Sequence, residues 1–151
     1  MDNKAVATNK KALRDFVILE SQEAGIELVG SEVKSLRQSN TSFNDSFARI
    51  DGGQVFLHNL HIASYAEASY LNVEPTRVRR LLLHRAQIRK LQEKTSQRGL
   101  TLIPIKLYFN KRGIVKVELA LAKGKKTYDR REDIKKREVS LLIRRAMRRS
   151  G

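Results

Sequence analysis

The sequence predicts a mainly β protein: a small antiparallel barrel of about six strands, with two or three short helices and a basic C-terminal tail. Three observations lead there. Apolar residues alternate with polar ones over several short runs, as in strands with one buried face. Turn-forming Gly, Asn, Asp and Pro punctuate the chain at short intervals, as in all-β domains. The charge is also unevenly placed. Of the 151 residues, 31 are Lys or Arg and 16 are Asp or Glu, a net charge of +15. Residues 123–151 alone hold 12 basic and 4 acidic side chains. That shift marks a boundary near Lys123.

In chain order, residues 1–13 are polar and basic without a period, and read as a mobile arm. Phe16–Glu20 is rich in β-branched and aromatic residues and reads as a strand. Glu23–Ala24–Gly25 reads as a turn and Ile26–Val29 as a second strand, stopped by Gly30. Ser31 offers an N-cap for a short helix with Val33 and Leu36 inward. Phe47–Ile50, Asp51–Gly53 and Val55–Leu60 form the clearest hairpin, with glycine supplying positive φ at the turn. His61–Ala68 extends its second strand into a loop, and Pro75–Thr76 breaks the chain. A helix is expected from about His84 to Gln97, with Ile88 and Leu91 inward.

Leu100–Phe109 is a strand with Ile103, Ile105, Leu107 and Phe109 on one face. Pro104 has no N–H to donate, so it belongs at an edge or a bulge. Asn110–Gly113 turns the chain. Ile114–Leu121 returns with Val115, Val117, Leu119 and Leu121 inward and Lys116 and Glu118 outward.

The tail differs in kind. Val139, Leu142, Ile143, Ala146 and Met147 make one helical stripe among many cations. So short a helix is marginal alone in water. It is expected to be disordered when free and helical once phosphates neutralise its arginines. Docking on the barrel as an ordinary terminal helix is the alternative. The stripe lacks the Trp or Phe of a membrane-surface helix.

The composition bounds the function. A charge this far from neutral implies a polyanionic partner, either nucleic acid or an anionic membrane surface. No run of 18 apolar residues occurs, and the N-terminal residues lack the apolar segment of a secretory signal. With no cysteine, disulfides, cysteine-ligated zinc and thiol catalysis are excluded, and a cytoplasmic home is the default. His58 and His61 fall on opposite faces of a strand, so no metal is expected. A ribonuclease using His58, His61 or His84 is the enzymatic rival, but nothing sets a general acid against a general base. Lys123–Gly124–Lys125–Lys126 lacks the glycine pattern of a nucleotide-binding loop. No cofactor is expected.

What stands out is cations beside aromatic or apolar groups. Arg77, Arg79 and Arg80 precede Leu81–Leu83. Lys106, Lys111 and Arg112 flank Tyr108 and Phe109. Lys123, Lys125 and Lys126 precede Tyr128. Cations bind phosphates without regard to sequence, and aromatic faces stack on unpaired bases. An RNA-binding protein is the reading, with a generic ribosomal structural protein as the other alternative.

Five blocks carry a family resemblance: residues 9–37 (NKKALRDFVILESQEAGIELVGSEVKSLR), 59–62 (NLHI), 75–84 (PTRVRRLLLH), 100–109 (LTLIPIKLYF) and 113–133 (GIVKVELALAKGKKTYDRRED). With these the chain closely resembles the small protein B, or SsrA-binding, family of bacterial trans-translation, from about Asn9 to Glu138. The resemblance implies an oligonucleotide-binding-fold barrel that binds the tRNA-like domain of transfer-messenger RNA. It implies delivery to stalled 70S ribosomes, with the tail reaching the small-subunit decoding centre and the empty mRNA channel. Elongation factor Tu and alanyl-tRNA synthetase act on the same RNA. No catalysis, metal, cofactor or membrane is implied.

Carried over by motif, RNA contacts fall on Phe16, Glu23, Leu82 and His84. Relatives often have Tyr at the first of these and Asn at the last. Stacking survives the first change, while the second alters a hydrogen-bonding group. Glu23 would accept from base amino groups or orient an arginine, or else be a solvated turn residue. Lys10, Lys11, Lys34, Arg77, Arg79, Arg80, Lys123, Lys125 and Lys126 are the expected phosphate-binding cations. Tyr128, Asp129, Arg130, Arg131, Lys135, Lys136 and Arg137 are the expected ribosome-contacting positions of the tail.

Overall fold

The computed structural model describes residues 4–65, 72–97 and 99–125. Among them are β1 (Lys4–Thr8), α1 (Lys10–Asp15), β2 (Phe16–Ile26), α2 (Gly30–Arg37), β3 (Thr41–Ser42), β4 (Phe47–Asp51), β5 (Gln54–His58), β6 (His61–Ile62), β7 (Arg79–Leu82), α3 (Arg85–Thr95), β8 (Leu100–Phe109) and β9 (Val115–Gly124). The strands run in the order β1-β8-β4-β5-β7-β2-β9, and β9 also pairs with β8. Six strands therefore close into an antiparallel ring, the barrel read from the sequence. Closure removes the free edges that an open sheet would expose. β3 and β6 form a separate two-stranded pair.

Membership of the ring differs from the sequence reading in one respect. Residues 16–29 hold one strand where two were expected. Glu23–Gly25 is not a turn, because its residues pair with Glu118, Val117 and Lys116 of β9. Of the strand expected at Ile26–Val29, Ile26 ends β2 and the rest leads into α2. The sixth place in the ring is taken by β7, whose Arg-rich start hides its strand character. Residues 4–13, read as part of a mobile arm, hold β1 and the start of α1, which runs on to Asp15. β1 pairs with the far end of β8, beyond the point where β4 meets it at Ala48 and Leu102. Asn9 joins the two stretches. Its N–H donates to the Ile105 carbonyl at 2.7 Å and its Nδ2 to the Pro104 carbonyl at 2.8 Å. Its Oδ1 accepts from the Ala12 N–H and so caps α1. After β5, Asn59 takes a left-handed φ of 66°, so β6 leaves the hairpin instead of extending it.

Two bulges shape the wall. The register shifts between Pro104 and Lys106 in β8 and between Ile18 and Glu20 in β2. An extra residue inverts the inward–outward alternation beyond it. Ile103 and Ile105 therefore do not share a face with Leu107 and Phe109. The latter two join the barrel core with Val55, Leu57, Leu81, Val117 and Leu119, while Ile103 and Ile105 join Ala12, Ala120 and Ala122 beneath α1. Ile88 and Leu91 of α3 belong to the barrel core, as their spacing predicts.

The other packing element is polar. Arg79 is 0 % exposed and Glu32 is 3 % exposed. Arg79 Nε donates to Glu32 Oε2 at 2.6 Å, and its other donors reach the Leu60 and Pro75 carbonyls at 2.6 and 2.9 Å. Arg77 contacts the same carboxylate at 2.5 Å, and the Val29 N–H donates to it at 3.0 Å. Burial pushes the Glu32 carboxyl up, but hydrogen bonds from Arg77 and Val29 and the charge of Arg79 outweigh it. The carboxyl is held below its ordinary value. Burial also pulls the Arg79 guanidinium down, and Glu32 partly restores it.

Breaking one partner of a buried pair strands the other charge, at a cost of about 3–5 kcal/mol. Glu32→Ala should lose that much in urea denaturation. The folded pKa is depressed, so the wild-type contribution is full above the unfolded value of about 4.3 and is lost as pH falls through the lower folded value. Glu32→Gln should flatten this acid limb of the stability–pH curve.

Candidate nucleic-acid interface

Directly opposed residues of paired strands share a face. Phe16, Ile18, Ser21, Glu23 and Gly25 of β2 lie opposite Gly124, Ala122, Ala120, Glu118 and Lys116 of β9. Leu82 of β7 lies opposite Gly25 from the other side. Inward, Ala24 and Ile26 meet the core. The outer wall of the barrel therefore carries Phe16, Glu23 and Leu82 together, although 66 positions separate the first from the last. The bulge at Leu19 keeps Phe16 and Glu23, seven residues apart, on one face.

Each of the three is held by neighbours. Glu23 faces Glu118, and like charges directly opposed repel. Ser21 Oγ donates to Glu118 at 3.1 Å, the Tyr108 hydroxyl donates to Glu23, and Lys116 Nζ lies 4.0 Å from it. Lys106 sits 6.0 Å above the Tyr108 ring. Burial, then the hydrogen bond to Glu23, pushes the Tyr108 hydroxyl well above its ordinary value, so it is a donor at neutral pH. Leu82 is 48 % exposed, an apolar side chain held out to solvent. A Cβ at position 25 would lie 3.1 Å from Leu82 Cβ, so glycine allows this close approach. Phe16 is half-buried. It lines a cavity of about 560 Å³ with Lys11, Arg14, Asn44, Phe47 and Lys125.

The expected cations divide. Lys10, Lys34 and Lys125 are exposed and Lys123 is half-buried opposite Val17. Lys34 lies 5.6 Å from the Tyr65 ring. Lys11 pairs with the exposed Asp45 at 2.9 Å, which raises its pKa. Arg80 is exposed and pairs with Glu27 at 2.7 Å. Arg79 is a correction. It is fully buried with its donors engaged, so it offers nothing to a phosphate. Arg77 is largely committed to Glu32 as well. His84 is exposed at the N-cap of α3. Lys126 and the tail positions Tyr128, Asp129, Arg130, Arg131, Lys135, Lys136 and Arg137 lie outside the described residues, as does the stripe beyond Val139.

Sequence reasoning missed the role of Tyr108, whose partner lies 85 positions away. It also missed a stack between β4 and β5. The Phe47 and His58 rings lie 5.0 Å apart at 8°, with Arg49 5.7 Å from the Phe47 ring. The hairpin turn at Gly52–Gly53 sets Phe47 opposite His58, so counting back from that turn would have found the pair. Among the described residues no three of His, Cys, Asp and Glu come together as a metal site, and no helix is long and apolar enough to cross a membrane. The geometry predicts that Tyr108 ionises at higher pH than an ordinary tyrosine, near 10. Glu23→Gln should shift its NMR-detected titration back toward that value.

The model of the family described as SmpB protein matches residues 6–149. The chain is 60 % identical over 141 residues to an SsrA-binding protein of Thermosipho melanesiensis, covering 93 % of this chain and 96 % of that one. It is 51 % identical over 145 residues to an SsrA-binding protein of Moorella thermoacetica, covering 96 % and 94 %. A solved structure described as "tmRNA-SmpB: a journey to the center of the bacterial ribosome" holds a chain 52 % identical to this one. The TM-score is 0.68, over 78 % of this chain and 82 % of that one. The barrel, its outer wall and these matches lead to one conclusion: the chain belongs to the SmpB protein family.

Proposed function

We propose that this protein is the RNA-binding adaptor of trans-translation. Its barrel binds the tRNA-like domain of transfer-messenger RNA and brings that RNA to stalled ribosomes. The observation that carries this reading is the common face of Phe16, Glu23 and Leu82. It combines a stacking ring, a fixed hydrogen-bond acceptor and an apolar contact. That combination suits splayed bases and folded RNA surfaces better than uniform duplex. Exposed cations around it supply phosphate contacts that position the RNA without reading it. The names of the relatives, and of the solved complex with its ribosome, support the choice of RNA and of large partner.

The division of labour is proposed along with it. The RNA-binding barrel, expected at residues 14–122, takes in β1 to β9, residues 4–124. The ribosome-contacting tail, expected from residue 123, is the part beyond β9. The protein acts in the cytoplasm, where ribosomes are, and it is an adaptor with no catalytic step of its own. Elongation factor Tu and alanyl-tRNA synthetase work on the same RNA.

Competition binding at physiological salt tests the choice of RNA. Transfer-messenger RNA should displace labelled tRNA-like domain far more effectively than an equally structured ribosomal fragment, and equal displacement would leave a generic ribosomal protein. Glu23→Gln and Leu82→Asn should each weaken the specific complex by about tenfold or more, the scale of one well-made contact of 1–3 kcal/mol. Truncation after Lys125 keeps β9 whole. It should leave this affinity largely intact while abolishing peptide tagging in a translation assay.

A further inference from the structure

One end of the barrel carries cations that the interface above does not use. Lys4 begins β1 and pairs across to Phe109 at the end of β8. Lys111 and Arg112 occupy the turn between β8 and β9, and Arg37 is the last residue of α2. All four are exposed, and none makes an ion pair among the described residues. Lys4, Arg37 and Lys111 line a groove of about 480 Å³ whose floor includes Val6, Leu36 and Phe109. Among the described residues no Asp or Glu lines it.

The cations stand on a firm base. Asn110 Oδ1 accepts from the Arg112 and Ile114 N–H groups at 2.9 and 3.0 Å. The Gly113 N–H donates to the Asn110 carbonyl at 2.9 Å, and Gly113 adopts the φ of 76° that this turn requires. Two adjacent like charges are thus held at the tip of a tight turn, with two more cations beside it. That is a repulsive arrangement with no paired counter-charge among the described residues. It favours an anion that presents several charges in a row.

The turn that borders the groove also leads into the outer wall. Lys116, opposite Gly25, lies two residues beyond the turn's last hydrogen-bonded position, Ile114. We propose that this groove is a second contact for the same folded RNA, taking consecutive backbone phosphates on Lys4, Arg37, Lys111 and Arg112, with ribose over the apolar floor. The proposal rests on the RNA-adaptor reading above.

The test is the salt dependence of binding to the tRNA-like domain of transfer-messenger RNA, using full-length protein. Each neutralised phosphate adds about 0.9 to the slope of log K against log salt. The triple variant Arg37→Gln, Lys111→Gln, Arg112→Gln should therefore bind with a slope shallower by about 2 to 3. Lys111→Gln alone should reduce it by about 1, a variant that can be read even if the triple one folds poorly. Arg37→Lys with Arg112→Lys keeps the charge and should keep the slope. An unchanged slope in a folded variant overturns the proposal. So does an unchanged slope with weakened binding to ribosomes, which assigns the groove to ribosomal RNA. If the wild type shows no preference for transfer-messenger RNA, it is the adaptor reading that fails.

Discussion

The structure depends on one buried carboxylate. Glu32 sits on α2, yet its partners Arg77 and Arg79 lie 45 and 47 positions further on. Arg79 also ties down the carbonyls of Leu60 and Pro75. One ion cluster therefore joins the helix, the strand that completes the ring and two loop segments. A hydrophobic side chain could fill the same volume, and buried ion pairs often add little net stability over such a filling. What the cluster adds here is geometry. With Arg79 fixed inward, the alternation along β7 sends Leu82 outward, onto the wall that carries Glu23. The same helix ends in Arg37, so its anchoring also sets one cation of the basic groove.

The two bulges do comparable work on the other strands. Without an extra residue at Leu19, Phe16 and Glu23 would face opposite sides of β2. Without the one beside Ile105, the apolar run of β8 would lie wholly on one face and leave α1 nothing to cover. Instead the bulge splits it, and Ile103 and Ile105 form a second small core outside the barrel. That core seats α1 and Phe16. Packing and the make-up of the outer wall are thus set by the same local irregularities.

Much of this was legible in the sequence. Alternation identified β9 with its inward and outward residues, the glycine pair identified the β4–β5 hairpin, and the spacing of Ile88 and Leu91 identified the buried side of α3. The failures share a physical cause. Glu23–Gly25 looked like a turn because glycine and charged residues weaken a strand signal. Here glycine is in the strand to let Leu82 approach. β7 was hidden because a buried arginine breaks the apolar pattern, and its compensating carboxylate lies far away in sequence. Arg79 was counted as a phosphate ligand for the same reason. β1 is a strand through pairing with β8, which no local period reveals. The family blocks pointed to Phe16, Glu23 and Leu82, but only the closed ring explains why these three can meet one surface.

The proposed seat of the folded RNA is a single outer wall, formed by β2, β7, β8 and β9. Amide chemical-shift mapping during titration with the tRNA-like domain tests it most directly. Perturbations should cluster at Phe16, Glu23, Gly25, Leu82 and Lys116, while the opposite wall, at Arg49, Asp51, Gln54 and Phe56 of β4 and β5, stays unperturbed. Perturbations centred on that opposite wall, with Glu23 and Leu82 unmoved, would contradict it.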